Sequence, residues 1–261
     1  MIYAKKSLGQ NFLIDKNIVR KIINTVEIKN KNIVEIGPGQ GALTNEILKS
    51  KPKKLFLIEK DFELTKKLKL KYLKNKIVKV YHADVLKFDL EKILIKNSII
   101  FGNLPYNISS QILVKIIKFK KWAPNFEDLV LMFQRELGKK IIGKYPTSDY
   151  GRLSILTNYR LKIIKNFLIS PNCFKPKPKV ISMLIHFQPK KINTDKIKKI
   201  QNLEKITNIL FSNKRKMINK NIKKILSLNK IKKIPDLKLS VRPSEIKPEI
   251  YYKITELFEK K

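Results

Sequence analysis

Two hydrogen-bond acceptors, a proline and an aromatic ring follow one another in the tetrapeptide Asn103-Leu104-Pro105-Tyr106. The Asn103 side-chain oxygen and the Leu104 carbonyl can accept the two N–H bonds of a planar amine. Proline locks its own φ and keeps the preceding residue extended, so Pro105 aims the Leu104 carbonyl. The ring of Tyr106 offers a face on which a base can stack. These residue types indicate chemistry on an amino group attached to a ring.

A glycine-rich turn, Gly37-Pro38-Gly39-Gln40-Gly41, lies between a short apolar run and a helical pattern. Glycine permits positive φ and lets a ligand approach the backbone closely. Two acids end later apolar runs: Glu59 is placed to accept from ribose hydroxyls, and Asp84 from an adenine amino group. The ordered series predicts a site for an adenosine-containing cofactor. By itself it leaves open a methyl donor or a nicotinamide dinucleotide.

Short runs rich in β-branched or aromatic residues predict the strands that position these groups. The first five runs are Ile33–Ile36, Leu55–Ile58, Ile77–Tyr81, Ser98–Phe101 and Leu129–Phe133. Helical spacing separates them at Leu43–Leu48, Phe62–Leu73 and Ile112–Phe119. This alternation predicts an α/β domain with a doubly wound, mostly parallel sheet, in which ligands bind at the carboxyl ends of the strands.

Two later runs, Leu161–Ile169 and Ile181–Phe187, have no room between them for a crossover helix, so we expect an antiparallel edge pair. Beyond Pro189 the sequence is Lys-rich and helical, with breaks at several prolines. We therefore predict a first domain over residues 1–192 and a small α-helical second domain over residues 193–261.

The charge of the chain predicts a polyanionic partner. Its 261 residues include 58 Lys and Arg against 21 Asp and Glu, a formal net charge of +37. Such a surface attracts nucleic acid. However, only six of the 58 basic residues are Arg, and the abundance of Lys, Ile and Asn also fits codon bias in an AT-rich genome. The charge therefore supports a nucleic-acid partner without establishing one.

Several classes of protein are disfavoured by what the sequence contains. The single cysteine, Cys173, cannot form an intrachain disulfide or a Cys-based zinc site, and we interpret it as incidental. His82 and His186 are too few for a His-rich metal centre, His82 is assigned no catalytic role, and we expect a metal-free protein. The sequence has neither a membrane-length apolar run nor a signal-peptide core, so we expect a cytoplasmic location and no membrane partner.

The position of Asn103-Leu104-Pro105-Tyr106 after the fourth predicted strand distinguishes between the possible cofactors. An Asn-x-Pro-aromatic sequence at this place resembles the signature of methyltransferases that act on exocyclic amines of nucleobases. The resemblance favours a methyl donor over a dinucleotide. The alternative is that the tetrapeptide is only a turn at the end of a strand.

Over nearly its whole length the chain resembles the KsgA/Dim family of ribosomal RNA adenine dimethyltransferases. Other matching segments are Lys6-Ser7-Leu8-Gly9-Gln10-Asn11-Phe12-Leu13, Tyr150-Gly151-Arg152-Leu153-Ser154 and Phe174-Lys175-Pro176-Lys177-Pro178-Lys179-Val180. The resemblance implies a Rossmann-like class I methyltransferase domain with a mostly parallel seven-stranded sheet and a small α-helical C-terminal domain. It also implies S-adenosyl-L-methionine as the cofactor.

The resemblance further implies which residues form the site. The cofactor-binding set is Asn11, Leu13, Gly37, Gly39, Glu59, Asp84 and Asn103. The catalytic set is Asn103, Leu104, Pro105, Tyr106 and Phe174. Phe174 would face Tyr106 across the target adenine, although the residues alone fit a core anchor equally well. Lys177 and Lys179 would lie near phosphates.

The implied substrate is the pair of adjacent adenosines in the hairpin loop near the 3′ end of 16S rRNA, in the immature 30S subunit, methylated by a monomer. The basic helix of the family is similar to Phe211–Lys216 with Asn219 and Asn221, and a later segment of the family is similar to Arg242–Ile246. Both segments are expected to contact phosphates.

Two alternative functions stay open. One is an erythromycin-resistance-type methyltransferase of 23S rRNA, and the other a non-catalytic ribosome-assembly factor.

Overall fold

The computed structural model describes Lys5, residues 9–191 and residues 196–260. Its strands are β1 (Phe12–Leu13), β2 (Asn32–Ile36), β3 (Lys54–Glu59), β4 (Val78–His82), β5 (Ser98–Asn103), β6 (Phe126–Gln134), β7 (Leu161–Ile169), β8 (Phe174–Lys175) and β9 (Ser182–Pro189). Its helices are α1 (Lys16–Ile23), α2 (Ala42–Lys49), α3 (Phe62–Lys71), α4 (Ser109–Ile117), α5 (Arg135–Ile142), α6 (Arg152–Arg160), α7 (Ile200–Phe211), α8 (Asn219–Ile222), α9 (Leu228–Ile231) and α10 (Pro248–Glu259).

Seven strands form one sheet in the order β4-β3-β2-β5-β6-β9-β7. Neighbours from β4 through β6 run parallel, and β9 runs antiparallel to β6. The mostly parallel seven-stranded α/β sheet predicted from the sequence is therefore confirmed. The two late strands lie side by side at one end of the sheet, where β7 forms the edge and β9 separates it from β6.

The central strands are apolar and buried on both faces, as is typical of parallel sheets. All five residues of β2 are buried, and so are the first five of the six in β5. Helix α3 begins where the Asp61 carboxylate accepts the backbone N–H groups of Glu63 and Leu64, which caps the amino end. The same helix buries Leu64 and Leu68.

The strand order reverses beside β2. From β2 the chain moves outward over β3 and β4, and then returns to place β5 on the other side of β2. Parallel pairing aligns Ile36 at the end of β2 with Gly102 near the end of β5. In open α/β sheets, ligands bind outside the carboxyl ends of the strands at such a reversal. The fold thus brings the turn after Ile36 next to the residues after Gly102.

A small second sheet, which the sequence analysis did not predict, pairs β1 with β8. Phe12 lies opposite Lys175, and Leu13 opposite Phe174. One further backbone hydrogen bond, from the Ile14 N–H to the Cys173 carbonyl at 2.9 Å, extends the pairing. This sheet fixes the segment before α1 against the segment that follows β7.

Contacts between Cα atoms divide the chain into two compact units. The sheet belongs to the unit that contains the residues up to Gly138 and Lys162–Pro189, and the other contains Lys139–Leu161 and the residues from Lys190 onward. The predicted division at 192/193 stays a prediction, since residues 192–195 lie outside the described ranges. The helical character predicted for the C-terminal part is confirmed by α7 to α10.

The second unit has its own core. Phe211 of α7 stacks on Tyr251 of α10 with ring centroids 5.7 Å apart, and the fully buried Tyr251 donates its hydroxyl to the Pro243 carbonyl at 2.6 Å. The predicted basic helix differs in detail, because α7 ends at Phe211 and residues 212–216 follow it as a turn. Helix α7 thus ends before Lys214, Arg215 and Lys216, the basic residues of the matched segment.

Candidate active site

One pocket at the carboxyl ends of β2, β3 and β5 collects nearly all the predicted site residues. Its lining includes Asn11, Leu13, Gly37, Gly39, Glu59, Asp84, Asn103, Leu104, Pro105 and Tyr106. These residues come from five separate stretches of chain. Parallel pairing brings together the carboxyl ends of β2, β3, β4 and β5, where four of these stretches lie.

The floor of the pocket requires glycine. Gly37 and Gly39 have φ values of +68° and +57°, which side chains with a Cβ rarely adopt. A Cβ on Gly37 would lie 3.5 Å from the Asn103 carbonyl oxygen, and one on Gly39 would lie 2.9 Å from the Phe12 ring. The positive φ therefore favours glycine at both positions, and at Gly39 the Phe12 ring also leaves no room for a Cβ.

Glu59 is a buried acceptor in this pocket, with 7% of its surface exposed. Its Oε2 accepts the Gly39 N–H at 3.1 Å, and its Oε1 accepts the Asp61 N–H at 2.9 Å. Burial raises the pKa of the Glu59 carboxyl. A carboxylate oxygen has two lone pairs, so each oxygen can accept one more hydrogen bond from a ligand hydroxyl. The two backbone amides hold the carboxylate in one orientation.

Asp84 lies at the wall of the pocket and has fixed partners of its own. Its Oδ1 accepts the Leu86 N–H at 2.9 Å, and its Oδ2 pairs with the Lys60 ammonium at 2.9 Å. The hydrogen bond from Lys60 lowers the pKa of Asp84, so the group is a carboxylate at neutral pH. It is therefore an acceptor for an amino group.

The side chain of Asn103 has a defined orientation. Its Nδ2 donates to the Asn11 carbonyl oxygen at 3.0 Å. A carbonyl only accepts, so the contact identifies the nitrogen of the amide and leaves Oδ1 as its acceptor. Gly102, the residue before Asn103, leaves room for the Leu104 side chain, because a Cβ on Gly102 would lie 2.6 Å from Leu104 Cδ2. The turn thus holds the Asn103 amide in one orientation at the wall of the pocket.

Tyr106 is held at both ends. Its hydroxyl forms a 2.6 Å hydrogen bond with the Ser182 hydroxyl at the start of β9, and its carbonyl accepts from the Ser109 hydroxyl at 3.0 Å. The ring lies half-buried, and burial raises the pKa of the Tyr106 hydroxyl. Sequence reasoning did not identify Ser182, since no local pattern marks a serine 76 residues away as a partner.

The side chain of Phe174 lies in the hydrophobic core. It is 3% exposed and shares a buried cluster with Leu13 and Ile169, while the β1–β8 pairing holds its backbone. In this conformation its ring packs in the core, and the stacking role expected from the resemblance stays a prediction. A base could stack on it only if the ring left the core. Lys177 and Lys179, on the segment that follows, are exposed.

His82 and Cys173, which the sequence analysis assigned no catalytic role, contact other residues of the protein. His82 is exposed, with its Nε2 3.1 Å from the Lys60 carbonyl and its ring edge against Phe62. Cys173 is buried, with its sulfur 3.8 Å from an Asp15 oxygen. Of the matching N-terminal segment, Lys6–Leu8 lies outside the described residues, whereas Gly9, Gln10 and Phe12 line the pocket.

Glu35 is a pocket residue that the sequence analysis missed. It lies in β2, is 1% exposed, and accepts the Thr44 hydroxyl at 2.7 Å. Burial raises the pKa of Glu35 to about 8, and the nearby Glu59 carboxylate adds to the effect. The sequence did contain a signal for Glu35, namely an acidic residue within the apolar run Ile33–Ile36. A charged residue is costly in a strand that is buried on both faces, so an acid there is unusual.

Replacing Glu35 with glutamine is expected to change how stability depends on pH. The folded pKa of about 8 lies above the ordinary glutamate value of 4.5, so between these two pH values the folded state keeps a proton that the unfolded chain releases. The wild-type protein therefore loses stability as the pH rises through this window, by about 1.4 kcal/mol per pH unit from this group. Urea unfolding measured from pH 5.5 to 7.5 should show that the free energy of unfolding of the Glu35→Gln protein rises relative to that of wild type as the pH increases.

The exposed Glu63 of α3 provides the control for this comparison. The Glu63→Gln protein should follow the wild-type curve throughout the same pH range. Parallel curves for wild type and Glu35→Gln would contradict the assigned protonation of Glu35.

Two absences hold for the described residues. No group of three or more His, Cys, Asp and Glu side chains in residues 9–191 and 196–260 is placed to hold a metal ion. Across the same ranges, no helix combines the length and apolar character needed to cross a membrane.

The fold and the pocket define a class I methyltransferase, with a mostly parallel seven-stranded sheet and a glycine-floored site at its strand reversal. A family model described as ribosomal RNA adenine dimethylase matches residues 1–260. The chain belongs to this family, whose members are enzymes that dimethylate adenine in ribosomal RNA.

Curated relatives agree with this membership over nearly the full length. The chain is 43% identical to ribosomal RNA small subunit methyltransferase A of Pelagibacter ubique, covering 99% of this chain and 98% of that protein. It is 39% identical to the protein of the same name from Malacoplasma penetrans, covering 97% and 91%.

Solved structures show the same fold. A dimethyladenosine transferase from Plasmodium falciparum superposes with a TM-score of 0.76 and 26% identity, covering 93% of this chain and 95% of that one. The 23S rRNA methyltransferase ErmE superposes with a TM-score of 0.68 and 22% identity, covering 96% and 100%. At that identity the likeness to ErmE concerns the fold alone.

Proposed function

We propose that the chain binds S-adenosyl-L-methionine in this pocket and dimethylates N6 of two adjacent adenosines in the 3′-terminal hairpin loop of 16S rRNA. The observation that carries the proposal is the orientation of Asn103, whose Nδ2 is committed to the Asn11 carbonyl at 3.0 Å. This contact turns Oδ1 toward the place where an exocyclic amine would enter. The full-length relatives named for small-subunit RNA support the choice of 16S rRNA.

The residues present fit the cofactor. Glu59, held by two backbone amides, would accept the ribose hydroxyls, and Asp84 would accept the adenine amino group. The backbone of Gly37 and Gly39 would line the remainder of the molecule, next to Asn11 and Leu13. When bound, the cofactor supplies an electrophilic methyl group on a sulfonium sulfur.

The chain contributes alignment and hydrogen-bond acceptors. Adenine N6 is a weak nucleophile because its lone pair is delocalised into the ring. Acceptance of its two N–H bonds by Asn103 Oδ1 and the Leu104 carbonyl would localise that lone pair on nitrogen. The turn needs no strong base, since the nitrogen becomes acidic as it gains its fourth bond and would then release one N–H proton to water. Positioning and placed acceptors therefore account for catalysis.

Tyr106 would hold the target base by stacking. The hydrogen bond to Ser182 fixes its ring before the substrate arrives, which reduces the ordering required on binding. A base in a hairpin loop is already partly unstacked, so drawing it to Tyr106 costs less than extracting it from a duplex. The second face of the base would be covered by Phe174 only after movement of that side chain out of the core.

The RNA would bind through exposed basic residues. In the second unit these include Lys214, Arg215, Lys216, Lys220, Lys223 and Lys224. In the first unit, Lys177 and Lys179 are exposed on the segment after β8. Contacts of this kind go to phosphates and position the enzyme without reading sequence. We propose that it acts as a monomer on the immature 30S subunit in the cytoplasm.

The two alternative functions are less well supported. An erythromycin-resistance-type activity would rest on the 22% identical ErmE, which shares the fold. A non-catalytic assembly factor would have no use for an Asn103 amide oriented by Asn11 or for a Tyr106 hydroxyl fixed by Ser182. Catalysis on small-subunit RNA is therefore the function that we propose.

Labelled S-adenosyl-L-methionine tests the proposal directly. The purified protein is incubated with immature small subunits, and in parallel with large subunits and with duplex DNA. Label is expected in the small-subunit RNA, at two adjacent adenosines that each receive two methyl groups. Label only in large-subunit RNA would favour the resistance-type activity, and the absence of label from every substrate would favour the assembly factor.

A further inference from the structure

Lys115 of α4 differs from the solvated lysines of this chain. Its ammonium donates to three backbone carbonyls of a single loop, those of Val85 at 2.9 Å, Leu86 at 2.9 Å and Phe88 at 2.7 Å. A lysine ammonium has three N–H donors, so the three carbonyls account for all of them. Burial lowers the pKa of Lys115, as expected for a cation drawn away from water.

The peptide groups that Lys115 holds also hold Asp84. In a trans peptide the carbonyl and the following N–H point in opposite directions. The Val85 carbonyl faces Lys115 while the Leu86 N–H donates to Asp84 Oδ1 at 2.9 Å. The Leu86 carbonyl faces Lys115 while the Lys87 N–H donates to the Asp84 carbonyl at 2.9 Å. Fixing one end of each peptide plane fixes the other, so Lys115 determines how the loop wraps around Asp84.

The helix that carries Lys115 also supports the catalytic turn. Helix α4 begins three residues after Tyr106, and its first residue, Ser109, donates to the Tyr106 carbonyl. Just before the helix, the Ile108 N–H donates to the Pro105 carbonyl at 3.2 Å. One rigid element therefore contacts both the loop of Asp84 and the turn of Asn103–Tyr106.

We propose that Lys115 is a positioning residue for recognition of the cofactor adenine, acting through Asp84 and the loop that follows it. The inference rests on the proposed function, in which Asp84 accepts from the adenine amino group. Lys115 itself does not line the pocket. It sets the peptide planes of the loop so that the Asp84 carboxylate and the adjoining backbone present one fixed surface to the base.

The test is Lys115→Met, which keeps the length of the side chain and removes all three donors. Titration calorimetry with S-adenosylhomocysteine should show Kd raised about tenfold or more, because hydrogen bonds from a charged group are lost. KM for the methyl donor should rise in parallel, with kcat at saturating cofactor within about threefold of wild type. Hydrogen exchange at the amides of Leu86, Lys87 and Phe88 should become faster.

Lys66→Met is the matched control, since Lys66 is exposed on α3. It should leave Kd, KM and exchange at wild-type values. Lys115→Arg is a second variant in case the methionine protein folds poorly. The planar guanidinium keeps the charge but cannot direct its donors at the three carbonyls in the same way, so Kd should lie between those of wild type and Lys115→Met.

A double-mutant cycle separates positioning from a general loss of stability. Asp84→Asn should weaken binding alone, and combining it with Lys115→Met should add little, because both changes act on one recognition unit. Additive effects, or faster exchange with unchanged Kd, would overturn the inference.

Wild-type protein that neither binds S-adenosylhomocysteine nor labels small subunits would contradict the proposed function instead. Normal wild-type binding and labelling with an unaffected Lys115→Met protein would contradict this inference alone.

Discussion

Replacement of Asn103 by alanine is expected to reduce kcat by about 10²–10³-fold or more, while cofactor binding stays measurable. The change removes Oδ1, one of the two acceptors proposed for the target amine. It also removes the Nδ2 contact with the Asn11 carbonyl, so a moderate rise in the Kd of S-adenosylhomocysteine is expected as well. Single-turnover transfer to immature small subunits at saturating cofactor measures the first effect, and calorimetry the second.

The Asn166→Ala protein is a suitable control, since Asn166 is an exposed residue of β7. It should retain both transfer and affinity. Full transfer activity in the Asn103→Ala protein would refute the acceptor mechanism, because nothing else in the scheme replaces the amide oxygen. Loss of cofactor binding together with activity would instead assign Asn103 to the cofactor alone.

Replacement of Glu59 by glutamine is expected to weaken cofactor binding about 100-fold, although the two side chains have the same size. Both carboxylate oxygens of Glu59 accept backbone N–H groups, from Gly39 and Asp61. An amide NH2 group at either place would point a donor at a donor, so glutamine cannot keep both contacts. The side chain must rotate, and the acceptors proposed for the ribose hydroxyls move with it.

Calorimetry with S-adenosylhomocysteine measures this effect, and Glu63→Gln on the exposed surface of α3 is again the control. Transfer at saturating cofactor should recover most of the lost rate, which distinguishes Glu59 from Asn103. An unchanged Kd in the Glu59→Gln protein would show that Glu59 does not bind the ribose.

The element pattern was predictable because it is local. Apolar runs such as Leu55–Ile58 and the helical spacing of Phe62–Leu73 identify β3 and α3 to within two residues at either end. Glycine at positive φ and acids at strand ends are likewise signals within a few residues. The rule that ligands bind at the carboxyl ends of parallel strands then brings Gly37, Glu59 and Asn103 to one pocket.

The partners of those residues were not predictable. The carbonyl that orients Asn103 belongs to Asn11, 92 residues away, and it could as well have been any other backbone acceptor. Short two-residue strands such as β1 and β8 also lack a periodic pattern, because two residues cannot display one. For Phe174 the sequence permitted stacking or packing, and only its three-dimensional neighbours show that its ring is buried.

Lys115 illustrates a third kind of limit. The run Ile112–Ile117 contains one lysine among apolar residues, which marks a cation near the core. Its partners are backbone carbonyls of Val85, Leu86 and Phe88, which have no side-chain signature in a sequence. Sequence reasoning can detect that such a residue is unusual, but the topology is needed to show what it holds.

The hydrogen bond between Tyr106 and Ser182 joins residues that the ribosome synthesises at different times. A ribosome synthesises this chain from Asn11 toward Ser182, so the pocket residues from Gly37 to Tyr106 all emerge before the hydroxyl that secures the ring. A nascent chain that ends before β9 would contain the proposed cofactor contacts and an aromatic ring still without its anchor. Under the proposed function, the ring that would stack on the target base is therefore anchored only after the last strand of the sheet has been synthesised.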